Sequence, residues 1–260
     1  MVIENSGYRA IREAGWHMPE ETWGKLDDYQ RDFATNELTG QRTLDYYIHR
    51  LEMIGFTDLD CVLDAACGIG QWSVALGTMN RNVYGIDLSE ERIQVAKAMV
   101  ESHGVNGEFC AGPLERLPYE DHVFDAVFCY GAFMFTDMKT VIREFARVLK
   151  PGGKLYTNVN TWGWYAHLMI DRGFAKGNLH IVKSAFHMIL RTMRGKNNQI
   201  VVTESHLRQL LMSAGFEITA LDAEGNVRIQ NPSIPVLPAY PGSFYGLRSI
   251  IEVVGKAGAI

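Results

Sequence analysis

The sequence predicts an α/β fold on a mostly parallel sheet. Three observations carry this expectation. Short apolar runs alternate with helical patterns between residues 61 and 160, the rhythm of strands joined by crossover helices. The runs are continuously apolar, as in strands covered on both faces. A glycine turn, Gly68-Ile69-Gly70, joins the first run to a helical pattern.

Residues 1–56 read as a helical cap, with Leu44, Tyr47, Ile48 and Leu51 on one face. Strand-like runs follow at Cys61–Asp64, Asn82–Asp87, Glu108–Ala111 and Phe124–Cys129. Trp72 to Leu76 is helical. Ser89 is placed to cap a helix carrying Ile93, Ala96 and Val100, and Gly104 to end it. Met138, Val141, Ile142, Phe145, Val148 and Leu149 mark a further amphipathic helix. Pro151-Gly152-Gly153 breaks it, and Lys154 to Val159 resumes as a strand. Residues 161–200 form a helical insert opening on Trp162, Trp164 and Tyr165. Thr203 to Phe216 is a helix, with strands at Phe216–Leu221 and Ser249–Val254. The stretch 231–247 holds four of the eight prolines and reads as a loop. We take the chain as one domain: cap 1–56, core 57–160, lid insert 161–200, and the rest of the core 201–260.

Composition narrows the function classes. Apolar residues make up 47% of the 260 and the net charge is −5, so a packed core is expected and disorder is not. That charge supplies no strong positive field for a nucleic acid or an anionic membrane. Cys61, Cys67, Cys110 and Cys129 form no Cys-x-x-Cys pair, which argues against a zinc cage; no metal site is expected. Neither a secretory leader nor a membrane span is read, so a cytoplasmic protein is expected.

The chemistry concentrates around the glycine turn. Gly68 and Gly70 let a ligand approach the backbone where a helix start offers free N–H groups. Ser73 stands where a dinucleotide fingerprint needs its third glycine, which disfavours a nicotinamide oxidoreductase. Asp87 ends the next strand, where a carboxylate can accept from both hydroxyls of a ribose. The pair points to an adenosine-like ligand.

Asp64, Gly68, Gly70 and Asp87, followed by the segments Leu117–Asp125 and Leu149–Lys154 and a final strand pair, resemble class I S-adenosylmethionine-dependent methyltransferases. The resemblance covers roughly residues 58–160 and 203–257. It implies a Rossmann-like seven-stranded sheet, mostly parallel with an antiparallel last strand, helices on both faces, and S-adenosylmethionine as cofactor. By the same resemblance Asp64, Ala66, Gly68 and Gly70 hold its methionine part, Asp87 its ribose, and Leu88 lies under its adenine. The family's adenine-binding acid falls on Pro113, which has neither carboxylate nor N–H, leaving the Leu114 N–H for the ring. Tyr130 matches the position lining the methyl-transfer pocket.

Methyl transfer from a sulfonium needs alignment and water exclusion, with a base only for acceptors such as a hydroxyl. Tyr130 and His167 are the catalytic candidates. Phe133, Trp162, Trp164, Tyr165, Tyr240 and Tyr245 are the candidate acceptor-binding residues, in loops that the fold class brings to the ligand end of the sheet. An aromatic lid suits a small acceptor: a secondary metabolite, sugar or quinone-like ring methylated on O or N. No nucleic-acid partner is expected, and a homodimer is allowed. The alternative is a binding protein that keeps the fold without the catalysis, or that uses a modified cofactor.

Overall fold

The computed structural model describes residues 6–40, 42–193, 201–230, 238 and 240–258. The expected loop at 231–247 and the end of the insert at 194–200 thus lie partly outside the described residues. The chain divides into two compact units, Met1–Pro113 with Ile229–Val236, and Leu114–Arg228 with Leu237–Ile260.

The first unit opens with α1 (Ser6–Glu13), α2 (Glu20–Lys25), α3 (Asp28–Leu38) and α4 (Leu44–Ile54). Then come β1 (Cys61–Ala65), α5 (Gln71–Met79), β2 (Asn82–Asp87), α6 (Glu90–Ser102) and β3 (Gly107–Ala111). Local signals set their ends. Asp27 caps α3 in a reciprocal box with Gln30. Ser89 Oγ accepts the Arg92 N–H at the start of α6, and Gly104 stops that helix at a φ of +66°. The cap helices are fixed by aromatic edges: the Tyr47 ring meets Trp72 of α5 at 4.5 Å and Trp16 at 5.4 Å. These are geometries that add to the burial of the rings. β1, β2 and β3 run parallel, with Asp64 beside Gly85 and Gly85 beside Phe109.

The second unit holds β4 (Phe124–Cys129), α7 (Met138–Val148), β5 (Leu149–Asn160), α8 (Trp162–His167) and α9 (Leu179–Met193). It continues with α10 (Glu204–Ser213), β6 (Phe216–Ala223), β7 (Ser243–Phe244), β8 (Leu247–Arg248) and β9 (Ile250–Ala257). A π-helical turn, Leu168–Gly173, and a 3-10 turn, Phe174–Lys176, separate α8 from α9.

The seven strands of the main sheet are shared out as β3-β2-β1 in the first unit and β4-β5-β9-β6 in the second. β9 runs antiparallel to both β5 and β6. This is the predicted Rossmann-like class, with its antiparallel last strand. β7 and β8 make a separate hairpin turned by Tyr245 and Gly246, both at positive φ, a turn that suits strand twist. One boundary differs from expectation. Pro151-Gly152-Gly153 does not separate a helix from a strand; β5 already begins at Leu149. Phe124 pairs with Leu149 and Ala126 with Lys154, so the intervening residues bulge out of the ladder. Among the described residues no helix is long and apolar enough to cross a membrane, and no cluster could hold a metal ion.

Candidate active site

The turn after β1 is built from left-handed residues. Ala66, Gly68 and Gly70 have φ of +65°, +57° and +90°. Ala66 is not a glycine, so its conformation stores strain of a kind that clusters at functional sites. Gly70 has a second reason for its identity: a Cβ there would sit 2.9 Å from Ala96 Cα of α6. The turn leads into α5, whose first N–H groups have no side-chain cap and suit an anionic or polar ligand. The Gly68 N–H donates to Asp87 Oδ2 at 3.0 Å, and the Ser89 N–H to Asp87 Oδ1 at 3.0 Å. Asp87 is thus fixed from both sides, and each carboxylate oxygen keeps a further lone pair for a ligand hydroxyl.

Asp64 lies inside this cradle, fully buried. Ser73 Oγ donates to its Oδ2 at 2.5 Å. Burial pushes the Asp64 carboxyl up to about 7, against the pull of the Ser73 hydrogen bond and helped by the charge of Asp87. Gln71 opens α5, and its buried Oε1 has no hydrogen-bond partner among the described residues. Leu88, next to Asp87, is 76% exposed. Burial and the charges of Asp64 and Asp87 hold the Cys67 thiol well above its usual range, so it is no nucleophile. These groups fit S-adenosylmethionine: Asp64 and the unpartnered Gln71 oxygen match an ammonium, Asp87 a ribose, the uncapped start of α5 a carboxylate, and Leu88 an adenine face.

The second unit gathers another set of predicted residues. His167 ends α8, and its Nδ1 lies 2.7 Å from Asp171 Oδ2. The wide π-helical turn carries Asp171 to that position, and such turns recur at functional sites. Tyr245 donates to the other oxygen of Asp171. Those two hydrogen bonds, Tyr245 first, hold the Asp171 carboxyl below the usual range. An ionised carboxylate only accepts, so Nδ1 is the donor in this pair and Nε2 is the ring atom left to face a ligand. Phe244 stacks on the imidazole at 4.1 Å, and Trp164 lies 5.8 Å from it with its edge against Tyr240 at 5.0 Å. Four expected residues, Trp164, His167, Tyr240 and Tyr245, are therefore brought together, with Phe244 beside them.

The other candidates lie elsewhere. Tyr130 follows β4, stacks with Phe128, and donates to the buried Glu224. Phe133 is fully buried against Phe145. Tyr165 is buried in a small cluster with Ala185 and Val201, and Trp162 is partly exposed. Pro113 is exposed and Leu114 buried. The sequence does not single out Asp171, Gln71 or Glu224, and marks Ser73 only as a missing glycine. Asp171 had a signal, since a carboxylate four residues after a histidine shares its helix face. Glu224 had none.

Comparison with known proteins agrees with this geometry. A family model described as a methyltransferase domain matches residues 62–153. The chain is 37% identical over 95 residues to the uncharacterized methyltransferase YcgJ of Bacillus subtilis, covering 36% of this chain and 38% of that one. It is 39% identical over 98 residues to the demethylmenaquinone methyltransferase of Bacillus cytotoxicus, covering 36% and 41%. It thus spans about two fifths of the length of these curated relatives. A solved S-adenosylmethionine-dependent methyltransferase from Clostridium acetobutylicum superposes with a TM-score of 0.57 at 15% identity, over 83% of this chain and 91% of the other. The family-model match runs from β1 into β5, while the fold likeness extends over most of the chain. Residues 62–153 thus match a methyltransferase domain, on a fold shared with solved S-adenosylmethionine-dependent methyltransferases.

Proposed function

We propose that this protein transfers the methyl group of S-adenosylmethionine to an O or N atom of a small organic molecule by in-line displacement. The observation that carries the reading is the Asp87 carboxylate, fixed by the Gly68 and Ser89 N–H groups at the end of β2. The cofactor supplies an activated methyl on a cationic sulfur. Asp64 and Gln71 hold its ammonium, the turn at Ala66, Gly68 and Gly70 its carboxylate, and Asp87 its ribose. Leu88 covers the adenine, with the Leu114 N–H on its edge and Pro113 leaving the amino group unrecognised. On the acceptor side, Tyr130 lines the pocket with its hydroxyl held by Glu224. Trp164, Tyr240 and Phe244 enclose an organic ring. His167 Nε2 takes the proton of an acceptor hydroxyl, while Asp171 fixes the tautomer and Tyr245 fixes Asp171. The relative's name makes a quinone-like ring the first acceptor to try.

Calorimetry with S-adenosylmethionine and its demethylated product tests the reading. The wild-type chain binds both, and Asp87→Ala weakens them about 100-fold or more, the loss of a charged acceptor to two hydroxyls. A folded wild-type chain that binds neither compound would overturn the assignment. Pro113 favours the second reading, a binder without turnover. Tight binding with no methyl transfer to any hydroxylated ring or amine would select it.

A further inference from the structure

Lys and Arg number 25 against 30 Asp and Glu over the whole chain, yet between residues 161 and 200 six basic residues face a single acid, Asp171. That one acid is bound to His167 and Tyr245. The overall charge of −5 therefore conceals a cationic segment. Arg172, Lys176 and Lys183 are exposed, and among the described residues none has an ion-pair partner. Between them stand large apolar side chains open to water: Ile170 is 44% exposed, Phe174 59%, Leu179 61% and Phe186 51%. The inward side of α9 is already satisfied, with Ala185 buried and Met188 and Ile189 packed against Tyr165 and Val201. Val182 closes on Gly173, where an added Cβ would lie 2.5 Å from it. Among the described residues the outward apolar face has no partner.

We propose that this face, from Ile170 to Phe186, docks on an anionic lipid bilayer surface. The apolar rings enter the boundary of the acyl region while Arg172, Lys176 and Lys183 meet the headgroup phosphates. Exposed rings interleaved with unpaired cations are what interfacial binding uses, and water gives the exposed rings nothing. The basic residues select an anionic surface. Docking of this face needs no span, in keeping with the absence of a membrane-crossing helix among the described residues. It does not depend on methyl transfer, so vesicle binding and catalysis are tested separately.

Flotation of the full chain with phosphatidylcholine vesicles, with and without phosphatidylglycerol, is the test. The protein floats with the anionic vesicles, stays behind with the neutral ones, and is released by high salt. Phe174→Ser and Phe186→Ser each lower the binding constant about tenfold or more. The double variant Lys176→Gln/Lys183→Gln lowers it about 30-fold, at about fivefold per charge. It also keeps the test alive if the serine variants melt early. Absence of flotation overturns the proposal, as does equal binding to neutral vesicles. Binding to soluble polyphosphate as tight as to vesicles, and unchanged by the serine variants, marks a plain cation patch and overturns it. So does a wild-type dimer in sedimentation that the serine variants dissociate, since a second copy then covers the face.

Discussion

The turn after β1 and the insert after β5 solve different problems with different means. In the turn, the partners lie close along the chain: Asp87 is nineteen residues from Gly68 and Ser73 nine from Asp64. Adjacent parallel strands and strained backbone hold every group, so the geometry is rigid before any ligand arrives. In the insert, the imidazole of His167 is positioned from a short helix, a π-helical turn and a distant hairpin, with Tyr245 reaching Asp171 over 74 residues. Exposed side chains do this work on short elements. A cofactor common to many reactions is read by a fixed cradle. An acceptor particular to one reaction is left to parts that can vary without disturbing the sheet.

The largest effect expected from breaking this division is at His167. His167→Ala lowers kcat about 10²- to 10⁴-fold for a hydroxyl acceptor, while the dissociation constant for S-adenosylmethionine is unchanged. Stopped turnover with intact cofactor binding confines the residue to the acceptor side. Full turnover at saturating acceptor removes it as a base.

Next comes Asp64, whose effect is read in pH. Its carboxyl ionises at about 7 in the folded chain and near 4 unfolded. Between those values the folded state binds the extra proton, so stability falls as pH rises from about 4 to 7, by up to about 4 kcal/mol. Cofactor binding runs the other way. A cationic ammonium requires the ionised carboxylate, so affinity drops about tenfold for each pH unit below 7 and levels off above it. Asp64→Asn flattens both curves. Calorimetry and thermal melts between pH 5 and 8 measure them. A wild-type affinity that does not change with pH would remove Asp64 from the ammonium.

The difference between the regions also explains what was legible in the sequence. Strand, glycine turn and Asp87 lie within one contiguous stretch, where spacing is geometry, and the sheet followed from the same alternation. Ser73 shows the limit even there: read as a missing glycine, it is the donor that Asp64 needs in its buried position. The acceptor side was legible as His167 and a set of aromatics spread over several loops. Burial divides them, taking Phe133 and Tyr165 inside and leaving Trp164, Tyr240 and Tyr245 around His167, and burial depends on contacts between residues far apart. The pairing of Tyr130 with Glu224 spans 94 residues and leaves no trace in spacing. Net charge conceals one further feature, since it averages a basic segment into an acidic chain.

The smallest effect is the most specific. Tyr245 stands on the β7–β8 turn at a φ of +54° and touches the imidazole only through Asp171. Its hydroxyl is the foremost cause of the lowered Asp171 carboxyl, so Tyr245→Phe lets that carboxyl rise toward its ordinary range. Near neutral pH Asp171 remains ionised and still holds His167, and kcat falls only about fivefold, the share of one hydrogen bond. The acid side tells more. Asp171 now protonates at a higher pH, so its own contribution to the acidic limb of kcat/KM, loss of the fixed imidazole tautomer, begins at a higher pH. A merely structural role for Tyr245 would lower the whole profile or the melting temperature without moving that limb. Asp171→Asn would then remove Asp171's share of the acidic fall in both backgrounds, leaving the share of the groups that titrate above it.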